Sequence, residues 1–352
     1  MKYFDAFSGY GGFSLGIQKA YEHLRPLQQN ISDRPGEYHD TSDEPQQWEC
    51  VGYSEIDKYA VQVYSKHFPY EQCAPCHNRK LLQGTTTEGV HGELSNAEVG
   101  QARITCNCKH KPYGSITDID ASTLPDFDLF VGGFPCQAFS IAGKRGGFED
   151  TRGTLIYDVL RIVKEKHPRT VLLENVKGLL SHDSGRTFKA IITALAELGY
   201  AVEWQVLNAK NFGVPQNRER VFIIGHLGGF GGRAIFPFRE NNSEDIILPT
   251  ITTRITADSN GTYVRERQTH QATEPSGQNN RQEESESDNP DIRRREAYTA
   301  NPRIRRLTPT ECERLMGLPD GWTEGVSDTQ RYKLCGNGVV VNVVEEIMKR
   351  II

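Results

Sequence analysis

Short apolar runs alternate with segments of helical periodicity along most of this chain, and that rhythm fixes what the chain can fold into. KYFDAFS (2–8) has strand character, and GGFSLGIQKAYEHL after it repeats its apolar positions at helical spacing. The same pair recurs as WECVGYSE and DKYAVQVYSKHF, then as DFDLFVGG and TLIYDVLRIVKEKH, the latter helix closed by Pro168. TVLLENV, TFKAIITALAELG and RVFIIGH continue it as strand, helix and strand. Strands separated by helices of this length predict an α/β fold with a doubly wound, mostly parallel sheet.

Three segments break the rhythm. Residues 26–47 are polar with three prolines and read as a loop insertion. Residues 71–112 carry four cysteines and few large apolar side chains, a second insertion. Residues 228–302 open on GGFGGR and include QATEPSGQNNRQEESESDNPD, too polar to order itself around a core. The pattern then recovers with LTPTECERLMGL, a helix capped by Thr308, and NGVVVNVVEEIMKRII. The expected organisation is a large domain over 1–227 with its two insertions, a smaller one over 228–330, and a segment 331–352 returning to the first.

The 352 residues suffice for such a core. No apolar run approaches the ~20 residues that span a bilayer, and the amino terminus lacks a signal peptide's apolar stretch, so a cytoplasmic protein is expected. A net charge of −5 excludes a generally basic coat. It leaves room for a locally basic groove, and RRREAYTANPRIRR (293–306) and QNRER (216–220) supply the clusters.

VGGFPCQAFS (131–140) places Cys136 at the carboxyl end of an apolar strand, where a glycine-rich loop begins. Open α/β sheets hold ligands at that edge, which makes Cys136 a candidate nucleophile. Glu174 ends the strand LLENV and can face the same pocket. A thiolate beside a carboxylic acid suits attack on an electron-poor ring, with the acid protonating a ring nitrogen. FDAFSGYGGFSLG (4–16) is a strand, a glycine turn and a helix start; it reads as a site for a nucleoside-containing ligand or as a plain tight turn. Its glycines at 9, 11, 12 and 16 do not fit the G-x-G-x-x-G dinucleotide fingerprint, which disfavours a nicotinamide oxidoreductase. Glu55 ends the next strand, where a carboxylate can take a ribose hydroxyl pair.

Taken in order, DAFSGYGG, SEID, GGFPCQAFS, RGTL, ENV, QNRERVFIIG, RRLTPTECERLMGLPD and GNGVVVNVV make the chain resemble the DNA (cytosine-5)-methyltransferases of the bacterial or phage modification type. The resemblance implies the S-adenosylmethionine-dependent methyltransferase fold with a second, smaller DNA-recognition domain. It implies that Cys136 attacks C6 of a flipped-out cytosine while Glu174 holds N3 and the amino group, and that the methyl group comes from S-adenosylmethionine. Arg218 would help hold the flipped base, and Arg220 would brace the catalytic loop near Glu174. For the cofactor it points to Phe7 against the adenine, the turn Gly9, Tyr10, Gly11 and Gly12 around the methionine moiety, and Glu55 on the ribose. Ile56 stands where many members have an aromatic; Pro135 and Leu155 line the pocket, and Asn337 and Val339 close it. Ser115 replaces the family's adenine-contacting acid, with Asp118 as the alternative.

The implied partner is double-stranded DNA, met by Gln137, Ser140 and Lys144 on the mobile loop 137–152 and by Arg254 and Arg265 in the segment 250–265. No membrane partner is expected. The protein is expected to be monomeric, and the resemblance allows a cognate restriction endonuclease acting on the same site. Two other readings are weaker. Methylation of a tRNA cytosine would call for the Cys-Phe-Thr of the RNA-acting offshoot, which the variable region lacks. A catalytically dead regulator sits badly with an intact Cys136, Glu174, Arg218 and Arg220 set.

CAPCH (73–77) and CNCKH (106–110) give a C-x2-C and a C-x-C separated by 29 residues. Two close pairs of soft ligands fit a tetrahedral zinc site on Cys73, Cys76, Cys106 and Cys108. The alternative is four thiols in a variable loop. His77 or His110 could replace one of the four, and since the family does not generally require a metal, such an ion would be structural or DNA-contacting rather than catalytic.

Overall fold

A computed structural model of the chain describes residues 1–32, 48–73, 108–135, 155–229, 234–238, 248–249, 263–266 and 303–352. In chain order the strands of the main sheet are β1 (Lys2–Ala6), β2 (Glu49–Ser54), β3 (Leu129–Gly133), β4 (Thr170–Val176) and β5 (Tyr200–Asn208). β6 (Gln216–Asn217) lies outside this sheet, and β7 (Glu219–Leu227) completes it in the order β2-β1-β3-β4-β7-β5. β1, β2, β3 and β4 run parallel; β7 is antiparallel to both β4 and β5.

The helices are α1 (Gly12–Ser32), α2 (Lys58–His67), α3 (Leu155–Lys166), α4 (Arg186–Glu197), α5 (Pro309–Leu315), α6 (Asp328–Asn337) and α7 (Val341–Ile351). They cover both faces of the sheet. Adjacent strand residues point to opposite faces. Tyr3, Leu129, Val131, Leu172 and Ile224 accordingly join one buried cluster with Phe13, Ile17 and Val344. Phe4, Phe130, Leu173 and Ile223 join the other with Val159, Ile162 and Leu195. Burial on both faces explains why these strands read as apolar runs without alternation.

α1 departs from expectation by running to Ser32, through Pro26 and into the segment read as a loop. Leu24, Leu27, Gln28 and Gln29 are good helix formers, and one proline removes a single backbone bond. The end of the second insertion is likewise ordered against the sheet. Tyr53 N–H donates to the Lys111 carbonyl (2.9 Å) and Tyr113 N–H to the Tyr53 carbonyl (2.9 Å), so 111–113 lies alongside β2. α5 begins at the predicted cap: the Thr308 hydroxyl accepts from Glu311 N–H, and the Glu311 carboxylate accepts from Thr308 N–H. α7 packs on α1 because Gly16 is bare; a Cβ there would lie 2.6 Å from Val344.

Within 228–302, β8 (Leu248–Pro249) pairs in parallel with β6, and β9 (Tyr263–Glu266) pairs antiparallel with β10 (Arg303–Arg306). Among the described residues no helix is long and apolar enough to cross a membrane.

Candidate active site

Parallel strands deliver their carboxyl ends to one edge, and there β1 to β4 open on a cleft of about 670 Å³. Phe7, Gly9, Tyr10, Gly12, Glu55 and Ile56 line it from the first two strands, and Pro135 and Leu155 from the middle. Asn337 and Val339 line it from the carboxyl-terminal part of the chain, and Glu174 and Arg220 from β4 and β7. Of the cofactor residues expected from sequence, Gly11 alone faces away: a Cβ there would meet the Phe68 ring at 2.6 Å.

The turn after β1 is held by backbone geometry. Phe7 has a φ of 55° and Gly9 of 56°, a left-handed pair in the turn through which both residues line the cleft. One oxygen of Glu55 accepts from Gly9 N–H (2.9 Å), and the other accepts from Ile56 and Asp57 N–H (2.8 Å each). The carboxylate is thus fixed at the cleft wall.

Residues 336–339 clasp this turn from the far end of the chain. The Tyr10 hydroxyl donates to the Val339 carbonyl (2.6 Å), and the Trp322 indole N–H donates to the Tyr10 carbonyl (2.9 Å). A Cβ on Gly338 would lie 2.0 Å from the Tyr10 ring, and one on Gly12 2.8 Å from Val339. Only glycine fits at either place.

At the other end of the cleft Glu174 is 8% exposed and paired to Arg220, whose Nε lies 3.1 Å from its carboxylate. Burial raises the Glu174 pKa, against the opposing pull of Arg220 and Arg218. Gly133 stands opposite Glu174 in the β3–β4 register, and a Cβ on it would be 3.0 Å from the carboxylate. The second glycine of VGGFPC thus makes room for the acid. Asn175, which sequence reasoning passed over, is 2% exposed and donates through Nδ2 to the Phe134 carbonyl (2.8 Å). It ties β4 to the segment two residues before Cys136. Its signal was its place in ENV, beside the acid.

The two arginines divide their work differently from expectation. Arg218 does not line the cleft; it is 2% exposed and donates through Nη2 to the carbonyls of Gly336 (3.0 Å) and Gly338 (2.7 Å). Burial and Arg220 bring its pKa down to about 10, so it stays charged at neutral pH. Arg220 is the one that reaches Glu174. Alternation along a strand sends residues two apart to the same side, but Arg218 precedes β7, and the irregular step separates them.

Ser115 lines the cleft, and its hydroxyl sits 2.7 Å from that of Thr117, which in turn donates to Asp118 (2.9 Å). Asp118 itself is outside the lining. Cys136, Gln137, Ser140, Lys144, Arg254, Cys76 and Cys106 lie outside the described residues. The backbone of Arg265 pairs with that of Ile304 in the β9–β10 ladder. Cys73 and Cys108 come together, with sulfurs 3.5 Å apart. Among the described residues no group of three or more His, Cys, Asp or Glu side chains could hold a metal.

The family described as C-5 cytosine-specific DNA methylase matches residues 97–245 and 238–352. Type II methyltransferase M.HhaI of Haemophilus parahaemolyticus is 31% identical over 369 residues, covering 99% of this chain and 93% of that protein. Type II methyltransferase M.NlaIV of Neisseria lactamica is 57% identical over 234 residues, 64% of this chain and 41% of that protein. In fold, the chain is similar to a putative DNA modification methyltransferase encoded within an Escherichia coli prophage, with a TM-score of 0.54, 16% identity, and coverage of 100% of this chain and 98% of that one. The chain belongs to the C-5 cytosine-specific DNA methylase family and is a DNA (cytosine-5)-methyltransferase.

Proposed function

We propose that the enzyme recognises a specific double-stranded sequence, flips one cytosine into the cleft, and methylates it at C5 through a covalent bond between Cys136 and C6. The observation that carries this reading is the buried Glu174–Arg220 pair sharing one cleft with the Phe7–Gly12 turn. C5 and C6 cannot be reached from above and below inside the base stack, so the base must leave it. Burial raises the Glu174 pKa and so favours the protonated form that can give its proton to N3, and Arg220 keeps the carboxyl oriented toward the base. With N3 protonated, the ring accepts the Cys136 thiolate at C6, and electron density moves to C5. S-adenosylmethionine, held at the Phe7–Gly12 turn, would supply the methyl group there and leave as S-adenosylhomocysteine. Loss of the C5 proton, expulsion of the thiolate and return of the N3 proton to the Glu174 carboxylate would then restore the ring.

The cleft fits that cofactor. Its volume is in the range of small-molecule sites, Phe7 offers an aromatic face, and Glu55 is held at the wall beside Gly9. Arg218 is a positioning residue, holding the 336–338 carbonyls over the cofactor turn. Asn175 positions the strand-to-loop step that leads to Cys136.

Sequence reading falls to a smaller recognition region within 228–330, with Arg254 and Arg265 as candidate base contacts and Gln137, Ser140 and Lys144 approaching from the catalytic loop. Residues 331–352 return to the larger domain 1–227. In this reading the enzyme acts as a monomer, with a cognate restriction endonuclease acting on the same site. The insertion 71–112 carries a structural zinc ion on Cys73, Cys76, Cys106 and Cys108. The support is the Cys73–Cys108 pair together with the C-x2-C and C-x-C spacing.

Bisulfite sequencing of DNA from cells expressing the protein tests the substrate. The expected result is methylation at one cytosine of a single recurring motif. DNA free of new 5-methylcytosine, from cells making folded protein, would overturn the reading.

A further inference from the structure

We infer that Trp322 is a positioning residue for the cofactor: its indole N–H fixes the Tyr10 carbonyl of the glycine turn and so sets the affinity for S-adenosylmethionine without entering the chemistry. This rests on the reading of the cleft as the cofactor site and adds to it a residue from outside the cleft walls.

The turn needs such a hold. Phe7, Gly9 and Gly11 all have positive φ, at 55°, 56° and 90°. A residue with a Cβ, such as Phe7, keeps that backbone only where its surroundings over-determine it. Ser8 N–H donates to the Ser54 carbonyl (3.1 Å) and Gly11 N–H to the Ser8 carbonyl (2.9 Å), which secures the first half of the turn. Tyr10, in the second half, is held from more than 300 residues away at both its ends, its hydroxyl by Val339 and its carbonyl by Trp322. The shape of the turn therefore depends on where Trp322 sits.

Two elements place it. The first is α5, through Glu313, a fully buried carboxylate that must find donors. It accepts from Gly321 N–H and Thr323 N–H (2.8 Å each), from the Thr323 hydroxyl, and from Arg331 (2.9 Å). Gly321 and Thr323 flank Trp322, so the carboxylate grips the chain on each side of the indole. The second is α2. The His67 ring stacks on the indole with centroids 3.6 Å apart and planes 6° from parallel, and its Nε2 lies 2.7 Å from the Trp322 carbonyl. Phe68 meets the indole edge-on and fills the space where Gly11 lacks a Cβ. Gln62 donates to the Gly325 carbonyl (2.9 Å), and Lys333 pairs with Asp57 (2.7 Å), which lines the cleft beside Glu55. One segment, 321–333, thus steadies both the glycine turn and the Glu55 wall. A turn already in its bound shape binds at full affinity, and one that holds that shape a tenth of the time binds about tenfold more weakly. Glu174 and Arg220 stand at the other end of the cleft, so the effect falls on cofactor binding.

The experiment compares full-length wild type with Trp322→Phe, which keeps an aromatic ring against His67 and removes the N–H. S-adenosylhomocysteine binding is measured by calorimetry, and KM and kcat on the duplex that bisulfite sequencing identifies. The expected result is about tenfold weaker S-adenosylhomocysteine binding, the effect of losing one well-placed hydrogen bond, with a matching rise in KM for S-adenosylmethionine. At saturating cofactor kcat should stay within about twofold of wild type. A merely structural tryptophan would lower Tm and leave the affinity of the folded protein unchanged, and that result overturns the inference. A fall in kcat with KM unchanged overturns it as well. Should Trp322→Phe fail to fold, site-specific replacement of the indole by its benzothiophene isostere keeps the bicyclic ring and removes only the donor; unchanged binding there overturns the inference. In each of these outcomes wild-type binding of S-adenosylhomocysteine leaves the cofactor reading standing. Folded wild type that binds none overturns both.

Discussion

At the cofactor end of the cleft, shape comes from backbone: Phe7 and Gly9 at positive φ, glycines at 12 and 338 where a Cβ would collide, and a tyrosine hydroxyl closing on a carbonyl. At the Glu174 end the feature is buried charge: Glu174 is 8% exposed and pairs with Arg220 across 3.1 Å. The contrast has a physical reason. A large cofactor is recognised by a fitted surface, and the cost of building that surface is steric. A proton transfer at neutral pH is helped by a carboxyl pKa raised from its solution value, and the cost of that is desolvation. Substitutions at the two ends should therefore fail in different ways, and that difference is measurable.

The largest effect is expected at Glu174. Glu174→Gln retains size and hydrogen bonding but cannot protonate N3, so turnover should fall by about 10²–10⁴-fold while S-adenosylhomocysteine affinity stays within about twofold. Because burial raises the Glu174 pKa, wild-type turnover should decline as pH rises past that value, and the residual activity of the variant should lack this limb. Steady-state kinetics across pH checks both. If cofactor affinity collapsed as far as turnover, the division between the two ends would break.

Gly338→Ala should do the reverse. Its Cβ would press on the Tyr10 ring at 2.0 Å, and overpacking of this kind costs about 1–3 kcal/mol. Denaturant unfolding and calorimetry should report lower stability and weaker cofactor binding, with a turnover at saturating cofactor close to wild type. An unchanged affinity would show that the 336–339 clasp does not shape the cofactor end.

The smallest effect is expected at Asp5, beneath the same turn. Burial is the main cause that lifts its pKa from 3.8 to about 7, with Glu55 adding to it. The folded protein therefore holds a proton that the unfolded chain has lost between about pH 4 and 7, and stability falls as pH rises through that window. Asp5→Asn keeps an acceptor for Ser14 and removes the ionisation. Its Tm relative to wild type should be higher at pH 8 than at pH 5. Parallel Tm curves for the two proteins would remove Asp5 from the pH dependence.

The parallel half of the molecule was legible because its strands are buried on both faces and each is followed by a helix with a clear apolar stripe. β5 was not read. It is the edge strand, largely half-exposed, and its polar residues are used locally: Glu203 accepts from Ile235 and Phe236 N–H, and Gln205 from Phe238 N–H. α6 escaped for a related reason. DTQRYKLCGN has no apolar stripe, and ion pairs from Arg331 to Glu313 and from Lys333 to Asp57 hold it to elements distant in sequence. At the site, Glu174, Glu55 and the glycine turn were readable from strand ends. The separate tasks of Arg218 and Arg220, and the part played by Asn175, depend on strand register and on a carboxyl-terminal loop that returns to the cleft, and neither is written in local spacing.

The central claim is that Cys136 forms a bond to the cytosine ring. Duplex DNA carrying 5-fluorocytosine at the methylated position, incubated with S-adenosylmethionine and the wild-type enzyme, tests it directly. Fluorine cannot leave C5 as a proton does, so the thiolate cannot be expelled after methyl transfer. The account predicts a protein–DNA complex that survives denaturation, maps to Cys136 by peptide mass spectrometry, and is absent in Cys136→Ser. An enzyme that methylates ordinary DNA yet forms no such complex, or forms it at another residue, would contradict the account.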